Sequence, residues 1–106
     1  MKNELPEKKL KTLIVTRTVS NYFFDDPNQI FAKNRHKTIK EAQRFAFYIL
    51  KNYLHLTYEE IGALFKYNHA NIQYHVKTLA FNLNYVQTEK DNLKKLLEIL
   101  KLKKDE

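Results

Sequence analysis

Residues 57–72 read Thr-Tyr-Glu-Glu-Ile-Gly-Ala-Leu-Phe-Lys-Tyr-Asn-His-Ala-Asn-Ile and contain the starts of two consecutive helices. Thr57 followed by Glu60 is the pattern of a capping box, in which each side chain accepts the backbone N–H of the other residue. The apolar residues after the box share one helical face, at Ile61, Leu64 and Phe65. The stretch therefore predicts a short helix with a defined first residue.

A second helix follows after a turn of two or three residues. The first helix is expected to end near residues 66–67, and Asn68 can cap the next one because its side-chain oxygen can accept a backbone N–H. The apolar residues of this second helix are Ile72, Val76, Leu79, Ala80 and Leu83, which leaves the opposite face polar. This layout is that of a helix-turn-helix, although any small helical bundle can contain it.

Upstream, the sequence predicts a longer helix capped by Thr38. Its apolar residues are Ala42, Phe45, Ala46, Ile49, Leu50 and Tyr53. Its outward-facing basic residues are Lys40, Arg44 and Lys51. The stretch 33–37 contains no apolar residue and is expected to be an exposed basic loop.

The N-terminal third is harder to interpret. Asp26-Pro27 has the pattern of an N-cap with proline at the first helical position, opening a short turn over 29–31. Residues 8–23 fit two periods, a strand at Leu13, Val15 and Val19 or a helical face at Val15, Val19, Tyr22 and Phe23. Periodicity alone leaves both alternatives open.

At the C-terminal end, Thr88 can cap a last helix with a stripe of leucines at Leu93, Leu96, Leu97 and Leu100. One glycine and two prolines in 106 residues leave too few turn formers for hairpins. We therefore expect an all-α fold, a compact bundle of about five to six helices containing a helix-turn-helix. It would form a single domain over 8–104 after a flexible N-terminus, 1–7.

The chain is basic, with a formal net charge of +7. Residues 33–80 contain eight Lys and Arg against three Asp and Glu, so the excess lies in the middle of the chain. This distribution favours a polyanion as partner, while a solubilising surface is the simpler alternative. A membrane is not expected, since the basic segment is not one continuous amphipathic helix and no stretch has the length of a membrane span.

Four segments of the chain are characteristic: Val-Ser-Asn-Tyr-Phe (19–23), Ala-Lys-Asn-Arg (32–35), Tyr-Glu-Glu-Ile-Gly-Ala-Leu-Phe (58–65) and Asn-His-Ala-Asn-Ile (68–72). They resemble the C-terminal, box-binding domain of the bacterial replication initiator DnaA, a variant helix-turn-helix with a shape related to the Trp repressor. The resemblance covers roughly residues 15–104, without the ATPase domain of the initiator. It favours a helix for residues 8–23.

The resemblance implies a way of binding double-stranded DNA. The recognition helix, about 69–83, would lie in the major groove, and Arg35 would reach from the basic loop 33–37 into the minor groove. The base-contacting residues would be Arg35, Asn68, His69, Ala70 and Asn71. The simpler alternatives are a solvated Arg35 and a His69 imidazole that packs or caps locally.

Other residues around the helix-turn-helix are placed to contact phosphates, Thr57 through backbone amides at a helix N-terminus. The predicted phosphate-contacting residues are Lys33, Lys37, Arg44, Lys51, Thr57, Lys66 and Lys77.

The recognition helix departs from the family pattern of Asp-His followed by two small hydroxyl residues and Val. Here the variable positions hold Asn68, Ala70 and Asn71. An Asn can pair with adenine and an Ala methyl can touch thymine, so we expect a target other than the standard initiator box. The turn is also one residue shorter and lacks the family's glycines. Gly62, the only glycine, is expected to allow a close helix contact.

Chemistry other than binding finds little support in the sequence. There is no Gly-rich phosphate loop, so no nucleotide and no ATP-driven activity are expected. The four histidines lack metal-ligand spacing, Glu59-Glu60 lies in a cap and cysteine is absent, so we expect no enzyme, metal or cofactor.

The leading hypothesis is a stand-alone DNA-binding module, bacterial or phage-encoded, cytoplasmic and nucleoid-associated, that binds a replication origin or regulates transcription. The alternative is a protein-protein interaction module or homodimer that uses the leucine stripe in 89–102. RNA binding ranks third, because the aromatic residues mostly fall on apolar faces, with Tyr48 and Tyr74 as exceptions.

Overall fold

Helices make up nearly all of the chain that can be described. The computed structural model describes residues 7–33 and 36–102. Five α-helices occur there, with a 3-10 turn after the first: α1 Glu7–Phe24, the 3-10 turn Gln29–Phe31, α2 Lys37–Asn52, α3 Tyr58–Phe65, α4 His69–Asn82 and α5 Gln87–Leu100. Within these ranges there is no strand, which confirms the predicted all-α bundle containing a helix-turn-helix.

Helix α1 settles the ambiguity over residues 8–23 in favour of a helix. It ends at Phe24, and the next residue, Asp25, has a φ of 57° that turns the chain away from the helix axis. Asp26 was predicted to cap the following turn, with Pro27 as its first residue. The turn instead starts at Gln29, and Asn28 is its N-cap residue. The Asp26 carboxylate nevertheless accepts the backbone N–H of Asn28, with 2.9 Å between nitrogen and oxygen.

Buried Ser20 joins the end of α1 to the 3-10 turn. Its hydroxyl donates to the carbonyl oxygen of Asp26 and accepts the backbone N–H of Ile30 at 3.0 Å. Ile30 itself is completely buried. The polar groups of this corner are therefore satisfied inside the core.

Helix α2 is the central helix and packs on α1, α3 and α4. Its buried side chains are Ile39, Ala42, Gln43, Phe45, Ala46, Phe47, Ile49 and Leu50. The prediction of Thr38 as its cap is wrong by two residues, since the Nδ1 atom of His36 accepts the backbone N–H of Thr38 at 3.3 Å. Lys37, expected in the loop, begins the helix.

The capping box of α3 is confirmed. The Glu60 carboxylate accepts the backbone N–H of Thr57 at 2.9 Å, and the Thr57 hydroxyl accepts that of Glu60 at 3.0 Å. Ile61 and Phe65 point into the core, but Leu64, expected with them, is 39% exposed. A cap with two reciprocal bonds fixes the first turn of the helix-turn-helix.

Helix α5 packs on α1 and closes the core. Thr88 does not cap it, because the helix begins at Gln87 after Val86 and has no side-chain cap. In the predicted leucine stripe, Leu93 and Leu96 are buried, while Leu97 and Leu100 pack against the core from its edge. The leucines therefore belong to this chain's own interior.

The N-terminal segment predicted to be flexible, 1–7, lies outside the described residues except for Glu7, which begins α1. Among the described residues, no helix combines the length and the apolar character needed to cross a membrane.

Candidate nucleic-acid interface

The first turn of α4 is the most accessible part of the helix-turn-helix. Asn68 caps the helix, and its side-chain oxygen accepts the backbone N–H of Ala70 at 2.8 Å. The next three residues, His69, Ala70 and Asn71, are all exposed, and Ile72 after them is completely buried. This turn presents an imidazole, a methyl group and a carboxamide to solvent, which are groups that can contact base edges.

The exposed face continues along α4 beyond the predicted base-contacting residues. Tyr74 and Lys77 follow Ala70 at four- and three-residue steps and therefore lie on the same face. Tyr74 is 62% exposed. From the sequence, Tyr74 was expected to lie off the apolar faces, but no role in DNA binding was predicted for it. Ala80, expected on the apolar face, is also exposed.

Arg44 reaches this surface from α2 and is held by a side chain of α4. Its Nε atom donates to the Nδ1 atom of His75 at 3.1 Å. Burial, with the positive charges of Arg44 and Lys40, lowers the pKa of His75 from 6.5 to about 4. The imidazole is therefore neutral at neutral pH and can accept from Arg44, whose two terminal nitrogens remain available to an anion.

Lys33 occupies a different position from the one expected of a phosphate contact. Its Nζ atom donates to the carbonyl oxygens of Phe65 at 2.7 Å and Lys66 at 3.4 Å. The same ammonium group lies 3.8 Å from the centre of the Tyr67 ring. A cation at the carbonyl end of α3 is favourable, and here it connects the basic loop to the turn of the helix-turn-helix.

Two further side chains hold this turn in place. The Tyr67 hydroxyl donates to the Gln43 side-chain oxygen at 3.4 Å, and the Gln43 amide donates to the carbonyl oxygen of Ile30 at 2.8 Å. Gln43 is buried on α2. The sequence analysis missed both residues, although a glutamine between Ala42 and Phe45 on an apolar face was a signal, since a buried amide needs partners.

Gly62 permits the close approach of α3 and the turn. A Cβ atom at this position would lie 2.5 Å from the carbonyl oxygen of Tyr67. This contact agrees with the expectation that the only glycine serves packing. Lys66, the residue after α3, has a φ of 62° and so adopts the left-handed conformation that commonly ends a helix.

The remaining predicted phosphate contacts are dispersed around the site. Lys37, Lys66 and Lys77 are exposed, whereas Lys51 is half-buried with its Nζ atom 4.7 Å from the centre of the Tyr58 ring. The Thr57 hydroxyl is used in the capping box. Arg35, the predicted minor-groove residue, lies outside the described residues.

An exposed polar helix start, a capped preceding helix and basic side chains beside them are features of a helix-turn-helix DNA-binding domain. The chain belongs to the bacterial DnaA protein helix-turn-helix family, whose model matches residues 14–79. The match runs from α1 into α4, so the part of the predicted resemblance after residue 79 lies outside it. No curated protein and no solved structure matches the chain.

Membership of this family establishes DNA binding through the helix-turn-helix, and the family is a binding domain rather than a catalytic one. Within the described ranges, no three His, Asp or Glu side chains come together in a way that could hold a metal ion.

Proposed function

We propose that this domain binds double-stranded DNA at a specific sequence, with the first turn of α4 in the major groove and the basic loop 33–37 at the minor groove. The observation that carries the proposal is the accessibility of residues 68–71 at the start of a helix whose opposite face is buried. These side chains are exposed, and the cap fixes their direction. They can contact bases without rearrangement of the fold.

Each residue of the turn has a distinct role in the proposal. Asn71 hydrogen-bonds a base edge, adenine being the best partner for a carboxamide, and His69 contacts the adjacent pair. The Ala70 methyl packs on a thymine methyl. The Asn68 side-chain oxygen is engaged with the Ala70 N–H, so its NH2 group is the part that faces DNA.

Phosphate contacts position the helix and add no sequence information. In this role we place Arg44, oriented by His75, and the exposed lysines 37, 66 and 77. Arg35 enters the minor groove in the proposal, as the family resemblance implies. Because the residues at 68, 70 and 71 differ from the family pattern, the target differs from the standard initiator box.

The biological role that fits such a module is binding at a replication origin or regulation of a promoter. It would act at the nucleoid, in the cytoplasm of a bacterium or of a phage-infected cell. The protein-protein alternative through residues 89–102 finds no support, because the leucines of α5 pack into the core.

Selection of bound duplexes from a random pool gives the test. One enriched motif is expected, and Asn71→Ala should bind it about 5- to 150-fold more weakly, a loss of about 1–3 kcal/mol for one bidentate base contact. Asn84→Ala is the matched control, an exposed asparagine in the turn after α4. Failure to enrich any motif, or equal affinity of the Asn71 variant for all sequences tested, would contradict the proposal.

A further inference from the structure

The outward face of α1 carries three large apolar side chains that the described chain covers only in part. Leu10, Leu13 and Ile14 are 54%, 48% and 48% exposed. The opposite face of the same helix is in the core through Val15 and Val19. Large exposed apolar residues that are neighbours mark an interaction surface.

Four residues form a stripe along this outward face. Glu7, Leu10, Ile14 and Arg17 follow one another at steps of three, four and three residues, the spacing of a helix-helix seam. Leu13 flanks the stripe on one side. Leu64 of α3 lies beside Leu10 and Leu13, where the three line an apolar groove.

Charge complementarity along the stripe indicates what covers it. Glu7 is the only acidic residue of α1 and lies at its first residue, while Arg17 lies at the other end of the stripe. A second α1 running antiparallel, with Leu10 facing Ile14 of the other copy, would bring each Glu7 opposite Arg17 of the other copy. A parallel pair would instead oppose like charges.

We propose that this protein forms a two-fold symmetric homodimer through antiparallel pairing of α1, with Leu10 and Ile14 at its centre and a Glu7–Arg17 ion pair at each end. Lys8 has a partner outside the seam, since its Nζ atom lies 3.4 Å from a Glu60 carboxylate oxygen. The Nζ atom of Lys11 lies 3.6 Å from a Glu7 carboxylate oxygen, and the Glu7 side chain is 79% exposed, so in the dimer this carboxylate would be shared between Lys11 and Arg17 of the other copy.

This dimer surface replaces the one expected from the sequence at residues 89–102, whose leucines are used internally. It is independent of the proposed mode of DNA binding, since it needs no nucleic acid. A contact of about three helical turns is small, so the dimer is weak and forms at micromolar concentrations or above.

The test uses analytical ultracentrifugation of the full chain without DNA. The wild type should pass from monomer to dimer as its concentration rises. Glu7→Arg and Arg17→Glu should each weaken dimerisation by about tenfold or more, because like charges then face each other at both ends. The matched control is Glu98→Arg, at an exposed acid of α5, and it should dimerise as the wild type does.

Mixing the two single variants gives the sharper result. A pair made of one copy of each has opposite charges at both ends of the antiparallel seam. The equimolar mixture should therefore form a heterodimer at concentrations where each variant alone is mainly monomeric. A wild type that stays monomeric to about 1 mM, or a mixture that stays monomeric, would overturn the proposal. Circular dichroism of each variant confirms that the exposed substitutions leave the helices intact.

Discussion

Lys33 has its ammonium group on the carbonyl oxygens of Phe65 and Lys66 and over the Tyr67 ring. From this position we expect Lys33 to affect DNA binding through the turn that precedes α4 more than through a phosphate of its own. The two roles differ in salt dependence, because only a phosphate contact releases a counterion.

We predict that Lys33→Gln weakens DNA binding with little change in the slope of log affinity against log salt concentration. Lys77→Gln, at an exposed lysine of α4, is the comparison and should reduce that slope by about one. Titrations at several salt concentrations measure both. A slope that falls by about one in the Lys33 variant would show that Lys33 contacts a phosphate after all.

His75 makes the stability of the α2–α4 contact depend on pH. Its pKa is about 4 in the folded protein and 6.5 unperturbed, so between these values the unfolded chain binds a proton that the folded protein does not. The contribution of His75 to the free energy of unfolding therefore falls as pH decreases from 6.5 towards 4. Protonation also replaces the Arg44 hydrogen bond by repulsion between two cations.

The expected result is that His75→Gln loses part of this decline, because glutamine accepts from Arg44 but does not titrate. Urea denaturation at a series of pH values between 7 and 4 gives the comparison. His69→Gln, at an exposed histidine of the same helix, is the control and should follow the wild type. Parallel pH profiles for the wild type and His75→Gln would contradict the assignment.

At the scale of elements, the α3–α4 connection depends on Gly62. Alanine favours a helix over glycine by about 1 kcal/mol, so propensity alone would make Gly62→Ala stabilising. The 2.5 Å approach of a Cβ atom to the Tyr67 carbonyl oxygen opposes this, because backbone has to move. We predict a net loss of about 1–3 kcal/mol in the free energy of unfolding.

Chemical denaturation measures this loss, and Ala63→Gly at the exposed neighbouring position calibrates the propensity contribution. A Gly62→Ala protein as stable as the wild type, or more stable, would mean that the turn adapts without cost. Weaker DNA binding in the same variant is also expected, since the displaced turn leads directly into the first residue of α4.

Helices with apolar residues on one face only could be predicted from the sequence. A helix that also has apolar residues on its outward face could not. The α3 cap was predictable because Thr57 and Glu60 are close in sequence and bond each other. Residues 8–23 were ambiguous because their outward side is apolar too, which hides the helical period. The caps at Thr38 and Thr88 failed because a polar residue close to a helix start need not be its first.

The contacts that orient the candidate site were beyond prediction because they join distant parts of the chain. Lys33 and Phe65 are separated by 32 residues, and Arg44 and His75 by 31. Sequence identified these basic residues by charge alone. The packing of α2 against α4 brings Arg44 to an imidazole, and the contact of Lys33 with the end of α3 turns its ammonium group towards the protein.

At the scale of the whole molecule, two surfaces with different chemistry lie on different helices. The polar surface is the start of α4 with its basic neighbours, and the apolar one is the outward face of α1. If α1 pairs two copies, the two recognition helices are related by a two-fold axis. The selected DNA target should then contain two half-sites in inverted order.

The residues of the first turn of α4 that are proposed to contact bases do not take part in holding the fold together. His69, Ala70 and Asn71 contribute nothing to the core, so substitutions there carry little stability penalty and can accumulate freely during evolution. Position 68 is the exception, because its side chain must accept the Ala70 N–H, which restricts it to Asn, Asp, Ser or Thr. If these residues contact bases as proposed, a lineage of such domains can change its DNA target while the scaffold beneath stays unchanged.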